Sequence, residues 1–525
     1  MDLTGGNYIA GLLSSEGKST FKAVNPFDAS ELPTDFHEAT IEEVNKAATK
    51  ANEAFAVYGK KSGTEKAGFL ETIADEILNL GDALIECCCA ESGLPVGRIT
   101  GERGRTMGQL KLFASLLREG SWVDARIDNA IPNREPLPKV DIRSMQKPLG
   151  AVGIFGASNF PLAFSVAGGD TASALASGCT IVVKGHPSHP GTCEMIAFAI
   201  NKAAEKCNMP KGVFSLVQGQ SVAIGMAIVN HPLIKAIGFT GSNKGGKAIF
   251  DAANNRPEPI PVYAEMGSSN PVFILPQALK QNGNEIAQGL TNSVTLGVGQ
   301  FCTNPGIVFL ENAEVLSGFK QAVSEHFEQV EANTMLNGGI KKAFDEGIAF
   351  LNSKNGVNLL AKGKVNDEGY KGTSYVFETS AKNFIKENYL EEENFGPSTI
   401  TITADSREEL LASANKLQGH LTATIFGTEE DLNNYTDLIQ ILEQKVGRLI
   451  LNNYPTGVEV CHSMVHGGPF PSTTNSRSTS VGTGAISRFT RPFCYQNFPN
   501  HLLPNELKNE NPLQIFRIVD GEITK

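Results

Sequence analysis

GAVGIFGASNFPLAFSVAGGDTASALASGCTIVVK, residues 150–184, reads as a strand, a helix and a second strand. The run 150–156 is apolar and ends in glycine, and 180–184 is a short run rich in valine and isoleucine. Both have the composition of strands buried on two faces. Between them, 166–177 carries helical spacing. The alternation continues with a helix at 192–205, a strand at 213–217, a helix at 220–229, a strand at 235–239 and a helix from 243. Short apolar strands alternating with helices imply right-handed βαβ units and a parallel sheet. A second alternation begins near 261, with strands predicted at 271–275, 398–403, 421–426 and 447–451. The expected fold class is α/β, with two three-layer α/β/α domains in sequence.

Upstream of 150 the chain is mostly helical. Thr40 and Glu43 make a capping-box pattern ahead of Val44, Ala47, Ala48 and Ala51 at helical spacing. Residues 64–92 and 97–118 repeat that periodicity, with Pro95 between them. Val140, Ile142 and Ser144 alternate as a short strand would. The stretch 490–515, rich in Pro, Asn and aromatics, has the character of a tail lying on another surface.

The chain has 525 residues and a net charge of −11. That length suits two to four domains at roughly 100–200 residues each. No Lys/Arg run is dense enough for a nucleic-acid surface. No apolar run approaches the ~20 residues of a membrane span, and Met1-Asp2-Leu3-Thr4 lacks the pattern of a secretory signal. The nine cysteines show no zinc-ligand spacing and no even framework. They point to a reducing, cytoplasmic compartment with no bound metal.

Several residues carry chemistry. Cys302, in GQFCTNPG (299–306), lies in a loop marked by Gly299, Pro305 and Gly306 and is a candidate nucleophile. Glu265, in YAEMGSSNP (263–271), ends an apolar run. It can be a surface charge or a general base whose carboxyl is brought nearer neutrality by an apolar site. Asn159 follows the 150–156 strand. Its amide can steady a developing alkoxide, worth about 3 kcal/mol, or simply hold its own turn. Lys184 ends a strand. FTGSNKGG (239–246) ends another and opens a helix whose N–H groups can hold a phosphate. Glu393 can bind a ribose diol, and Phe395 can pack on a flat ring.

ASNFP (157–161), VVK (182–184), FTGS (239–242), AEMGSSNP (264–271), GQFCTNPG (299–306) and ENFGP (393–397), in that order, resemble the aldehyde dehydrogenase superfamily. The resemblance implies an aldehyde dehydrogenase-like fold with two Rossmann-like domains and a small β bridging segment. The cofactor-binding domain would comprise 1–137 and 150–264, and the catalytic domain 265–480. Bridging strands would come from 138–149 and 485–499, with a C-terminal tail at 500–525. It also implies roles. Cys302 is the nucleophile, its N–H and Asn159 form the oxyanion hole, and Glu265 is the base for thioester hydrolysis. Lys184 and Glu393 hold cofactor ribose hydroxyls, Gly241 and Ser242 lie near the pyrophosphate, and Phe395 lies beside the nicotinamide ribose. Members are usually homodimers or homotetramers.

Two departures bear on specificity. Where many members carry PWNFP, this chain has Ala157-Ser158-Asn159-Phe160-Pro161, which opens space near the site. Three residues past Lys184, where NAD-preferring relatives often carry a glutamate, stands Pro187. His186 or Ser188 can then donate to a 2′-phosphate, so NADP is expected as the preferred cofactor, with NAD the other candidate. The segments 155–179, 101–110, 455–482 and 491–499 look like the α-ketoglutaric semialdehyde (2,5-dioxovalerate) dehydrogenase subgroup. That implies oxidation of this semialdehyde to 2-oxoglutarate, with medium- or long-chain aldehyde oxidation as the alternative. An ω-carboxylate substrate calls for cationic or donor groups, and Arg105, Arg477 and His462 are the candidates. His462 and His466 flank the same loop; one of them can tune the thiolate, and a structural histidine is the other reading. A coenzyme A-acylating enzyme and a non-catalytic nucleotide-binding protein are the rival readings. Glu265 argues against the first, and Cys302 with Asn159 against the second.

Overall fold

A computed structural model describes residues 2–366 and 368–525. The helices start and stop where local chemistry dictates. Thr40 and Glu43 close a capping box ahead of Ile41–Tyr58, and Ser62 with Glu65 does the same for Gly63–Asn79. The periodic stretch 64–92 is two helices rather than one, because Gly81 takes φ +62° between Gly63–Asn79 and Gly81–Ser92. Gly93 ends the second in a left-handed turn, and Pro95 precedes Val96–Glu119.

The first sheet runs Val262–Glu265, Ile234–Thr240, Ala151–Phe155, Thr180–Lys184, Phe214–Val217, Asn7–Ile9, Leu12–Ser14. Its first five strands are parallel; the two N-terminal strands join antiparallel. Strand order reverses at Ala151–Phe155, which is followed on one side by 180–184 and on the other by 234–240. A crevice opens beyond the carboxyl ends of the strands at such a switch point. The helices of 63–119 and Pro190–Lys206 pack on one face, and Ile41–Tyr58, Val222–Asn230 and Asn243–Asn254 on the other.

The second sheet runs Asn358–Lys362, Tyr375–Ser380, Ser398–Ala404, Ile307–Glu311, Val272–Ile274, His420–Phe426, Val446–Leu451. All are parallel except the 358–362 edge. Both faces are covered, and Phe273 stacks on Phe309 with centroids 4.7 Å apart. The strands 307–311, 358–362 and 375–380 go beyond those expected from the sequence, since short apolar runs do not separate strand from buried helix by periodicity.

A third sheet, of five strands, differs in extent from the expected bridge. Thr490–Gln496 pairs antiparallel with Ile142–Pro148, and Arg126–Asp128, Arg517–Val519 and Glu522–Thr524 continue it. Arg126–Asp128 was expected within the 1–137 cofactor-binding unit and the last two strands within a 500–525 C-terminal tail. Backbone pairing, which composition does not reveal, recruits all three. Residues 485–489 lie in a 3₁₀ turn ahead of the strand. No described helix is long and apolar enough to cross a membrane.

The turn between Lys184 and the following helix is held from a distance. Glu91 accepts from the N–H groups of Gly191 (2.7 Å) and Thr192 (2.8 Å) and from Thr192 Oγ1 (2.7 Å), capping Pro190–Lys206. Burial pushes the Glu91 carboxyl up to about 7 from 4.5 despite those bonds. A folded-state value above the unfolded one favours the fold in acid, and that contribution is lost as pH rises from 4.5 through about 7. Glu91→Ala leaves two buried N–H groups unpaired and is expected to cost about 2–4 kcal/mol. Scanning calorimetry checks this: a midpoint within about 1 °C of wild type would contradict it.

Candidate active site

The Cys302 loop is built by backbone constraint. Gly297, Val298 and Gly299 take φ of +55°, +59° and +65°, turning the chain sharply after Pro276–Thr295. A Cβ on Gly299 would lie 2.2 Å from the Gly396 carbonyl, so only glycine fits against ENFGP. Asn270, fully buried at φ +45°, ties the Glu265 turn to this loop. Its Nδ2 donates to the carbonyls of Ser268 (3.0 Å), Cys302 (2.9 Å) and Asn304 (2.9 Å). Its Oδ1 accepts from Ser268 Oγ (2.9 Å) and Thr422 Oγ1 (3.0 Å).

Three groups far apart in the chain meet at the thiol. His466 Nε2 lies 3.5 Å from Cys302 Sγ and 2.9 Å from Glu265 Oε1. Ser480 Oγ donates to Glu265 Oε2 at 2.5 Å, and the Ser480 N–H donates to the His466 carbonyl. His466 itself is fully buried, and its Nδ1 has no partner among the described residues. Of the two loop histidines, His466 is the one that lies at the thiol. His462 is exposed, with Nδ1 3.3 Å from Thr483 Oγ1. Sulfur, imidazole and carboxylate lie within 4.8 Å of one another, a donor set for a thiophilic cation that sequence spacing did not reveal.

The electrostatics are lopsided. Burial pushes the Cys302 thiol well above its ordinary value. The Glu265 charge, the hydrogen bond to it and the Glu393 charge act the same way, and Arg105 opposes them. Burial also works to raise the Glu265 carboxyl, but the His466 ring and hydrogen bonds from His466, Ser480 and Cys302 outweigh it and hold the carboxyl below its ordinary range. The expectation of a carboxyl raised toward neutrality is therefore corrected: its polar neighbours prevail over the apolar wall. The resting cluster holds a neutral thiol beside an ionised carboxylate, an arrangement in which the carboxylate can accept the thiol proton.

Other predicted residues surround this cluster or the crevice. Asn159 Nδ2 donates to the Gln300 carbonyl at 3.0 Å, placing its amide against the Cys302 loop. Glu393 and Phe395 line a cavity with Ser268, Gly299 and Asn304. Glu393 is exposed, yet the dense protein beside its carboxyl, with the Glu265 charge adding, pushes it up to about 7. A Cβ on Gly267 would lie 2.5 Å from Glu393 Oε2, so glycine makes room for that carboxyl. Lys184 Nζ donates to the Gly219 carbonyl at 2.5 Å, and burial lowers it to about 8. Gly241, Ser242 and Asn243 expose the start of Asn243–Asn254, with Ser242 as its N-cap. An exposed helix N-terminus at the switch point fits the phosphates of a dinucleotide. Burial, then His189 and Lys184, hold the His186 ring well below its ordinary value, so it is neutral. It accepts from the Ser188 N–H, and Ser188 Oγ accepts from Asn337 Nδ2 (3.0 Å).

The arginine candidates separate. Arg477 is exposed, and among the described residues only its backbone N–H is bonded, to Asn475 Oδ1. Arg105 turns inward, donating to the Val458 carbonyl at 2.6 Å beside the Phe164 ring. Asn270, Ser480 and Arg448 are the residues the sequence reading passed over. Asn270 stood inside a quoted motif, but its left-handed backbone was not readable there.

With this geometry in view, the chain matches the sequence model of the aldehyde dehydrogenase family over residues 13–491. It is 46% identical over 523 residues to "Alpha-ketoglutaric semialdehyde dehydrogenase 2" of Azospirillum brasilense, covering 99% of this chain and 100% of the relative. It is 44% identical over 522 residues to "Alpha-ketoglutaric semialdehyde dehydrogenase" of Acinetobacter baylyi, covering 99% of each. The fold is similar to betaine aldehyde dehydrogenase of Staphylococcus aureus in complex with NAD+, with a TM-score of 0.80 at 20% identity over 94% of this chain and 95% of that one.

Glu265→Gln removes the charge that helps to raise the thiol. The pH midpoint of iodoacetamide alkylation at Cys302 is expected to move lower; an unchanged or higher midpoint would mean the sulfur does not feel Glu265.

Proposed function

The chain belongs to the aldehyde dehydrogenase family, and from that premise we propose that it oxidises α-ketoglutaric semialdehyde to 2-oxoglutarate through a thioester on Cys302. The observation that carries the reading is the contact of His466 Nε2 with both Cys302 Sγ and Glu265 Oε1, at 3.5 Å and 2.9 Å. An NAD(P)-dependent dehydrogenase needs a nucleophile and a base at one carbonyl, and this cluster supplies both. The names of the 46% and 44% identical relatives support the substrate. The medium- or long-chain alternative has no comparable support.

In this reading Cys302 Sγ attacks the aldehyde carbon as its proton passes to Glu265. The Asn159 amide and the Cys302 N–H hold the developing alkoxide. A bound nicotinamide would supply the hydride acceptor; Lys184 and Glu393 would hold its ribose hydroxyls, Gly241 and Ser242 its pyrophosphate, and Phe395 would pack beside it. Collapse of the alkoxide leaves an acyl group on sulfur, and Glu265 takes a proton from water as the water cleaves that thioester. Per turnover, aldehyde, water and oxidised cofactor become carboxylate, reduced cofactor and two protons. Hydrolysis by Glu265 makes coenzyme A unnecessary.

NADP is the preferred cofactor in this reading. Pro187 offers no carboxylate to repel a 2′-phosphate, and Ser188 Oγ–H and the His186 ring are the donors nearest Lys184 in sequence. The exposed edge strand Thr490–Gln496 supports a homodimer or homotetramer formed by extending a partner's sheet. Cysteines that are all free suit a cytoplasmic setting.

Steady-state assays with α-ketoglutaric semialdehyde, succinic semialdehyde, glutaraldehyde and decanal test the substrate and cofactor together. The expected result is the highest kcat/KM for the first, about tenfold or more in favour of NADP over NAD. A maximum at decanal or a strong NAD preference would overturn the corresponding part. Cys302→Ala is expected to lose about 10³-fold or more, whereas Glu265→Gln is expected to keep a burst of reduced cofactor and lose turnover. Undiminished steady-state rates in either variant would overturn the mechanism.

A further inference from the structure

Two arginines near enough to the Cys302 sulfur to feel its charge have unused donors. On Val96–Glu119, Arg98, Glu102 and Arg105 share one face. The first two form an ion pair. Arg98 pairs with Glu102 at 3.0 Å and lies 4.3 Å from the Phe160 ring centroid and 5.3 Å from that of Phe301. Glu102 Oε1 also accepts from the Leu162 and Ala163 N–H groups. Arg105 differs. Beyond its bond to the Val458 carbonyl, its Nε and Nη2 are buried without a partner among the described residues. Arg448, on Val446–Leu451, donates to the carbonyls of Gly457 (3.2 Å) and Pro455 (3.1 Å), and its buried Nε also lacks a partner. Among the described residues, neither arginine has a carboxylate within 4.0 Å, the reach of every ion pair found.

Both guanidiniums are therefore tethered to one short segment, 455–458, which leads on to His466 at the thiol. Edge-to-face contacts of Phe164 with Phe160 (5.1 Å) and Phe160 with Phe301 (5.5 Å) carry the Arg105 side of the wall to the residue before Cys302. Both arginines feel charge on the Cys302 sulfur, and burial lowers the affinity of each for its proton. Glu102, one turn away on the same helix, and exposed Glu459 act on Arg105 only at longer range than an ion pair. Buried cations without a counter-charge in contact are costly, and unpaired buried N–H groups call for a partner. Arg477, the exposed candidate, has no such deficit.

We propose that Arg105 and Arg448 form the subsite for the distal carboxylate of an anionic aldehyde, held by guanidinium edges the protein leaves unpaired. The proposal rests on the aldehyde-oxidising role of Cys302. A carboxylate is the chemical match, because guanidinium N–H pairs meet its two oxygens in a planar, charge-assisted geometry. The aldehyde end then faces the sulfur, and the subsite selects small ω-carboxyl aldehydes over uncharged ones of equal length.

The test is a selectivity ratio: kcat/KM for succinic semialdehyde over that for butanal, in wild type, Arg105→Met, Arg448→Met and Arg448→Lys, with NADP. The ratio is expected to fall by about 30-fold or more in each methionine variant, through KM, and to recover partly in the lysine variant. A ratio within about threefold of wild type would overturn the proposal, whatever the absolute rates. So would equal losses on both aldehydes with slower iodoacetamide alkylation, because the arginines would then serve the thiol. Glutarate protection of Cys302 against iodoacetamide reads the subsite without turnover. Protection in wild type and its loss in Arg448→Met are expected, and equal protection in both would overturn the proposal. If wild type oxidised decanal but neither semialdehyde, the substrate reading would fail; a normal wild-type ratio unmoved by the variants would fail only the subsite.

Discussion

One imidazole nitrogen, His466 Nε2, touches both the Cys302 sulfur and the Glu265 carboxylate, and that meeting constrains everything around it. Glu265 ends a strand of the first sheet. Cys302 precedes a strand of the second, and His466 lies on the loop beyond the last strand of that second sheet. The two sheets must therefore dock with their functional ends facing each other, within hydrogen-bond tolerance. Asn270 provides the stitching, since one amide fixes the Glu265 turn and the Cys302 loop to a common frame. Two backbone devices, the positive φ of Asn270 and the close approach of Gly299 to Gly396, make that frame rigid.

Charge explains why the thiol rests protonated. A sulfur anion beside an ionised carboxylate in a buried pocket meets repulsion and desolvation together. The protein stabilises the carboxylate instead, with Ser480 and His466 donating to it. The nucleophile is then formed at the moment its proton has somewhere to go, which spares a buried thiolate from side reactions. Arg105 and Arg448 supply cationic charge that the electrostatics link to the sulfur. The site is thus polarised, acidic towards Glu265 and Glu393 and cationic towards the 455–458 segment. An aldehyde carrying its own carboxylate would be oriented by that field.

Much of this was legible in the chain. The 150–184 stretch, with its two apolar runs around a helical segment, dictates a βαβ unit because short runs buried on both faces must be covered by helices. Cys302, Glu265, Asn159, Lys184 and Glu393 were all marked by lying at strand ends or in glycine-flanked loops, where function concentrates. What tertiary structure alone decided is which distant groups meet. His462 and His466 are four residues apart in the same loop, with the same chemistry in sequence, yet one is exposed and the other fully buried at the sulfur. Arg105 and Arg477 looked equivalent; only packing turns one inward. Arg448 gave no signal, because an arginine in a strand is unremarkable until its neighbours leave it unpaired. Local pattern sets the elements, through hydrogen-bond periodicity and side-chain burial. The encounter of residues hundreds of positions apart is set by how those elements pack, and no spacing along the chain encodes that distance directly.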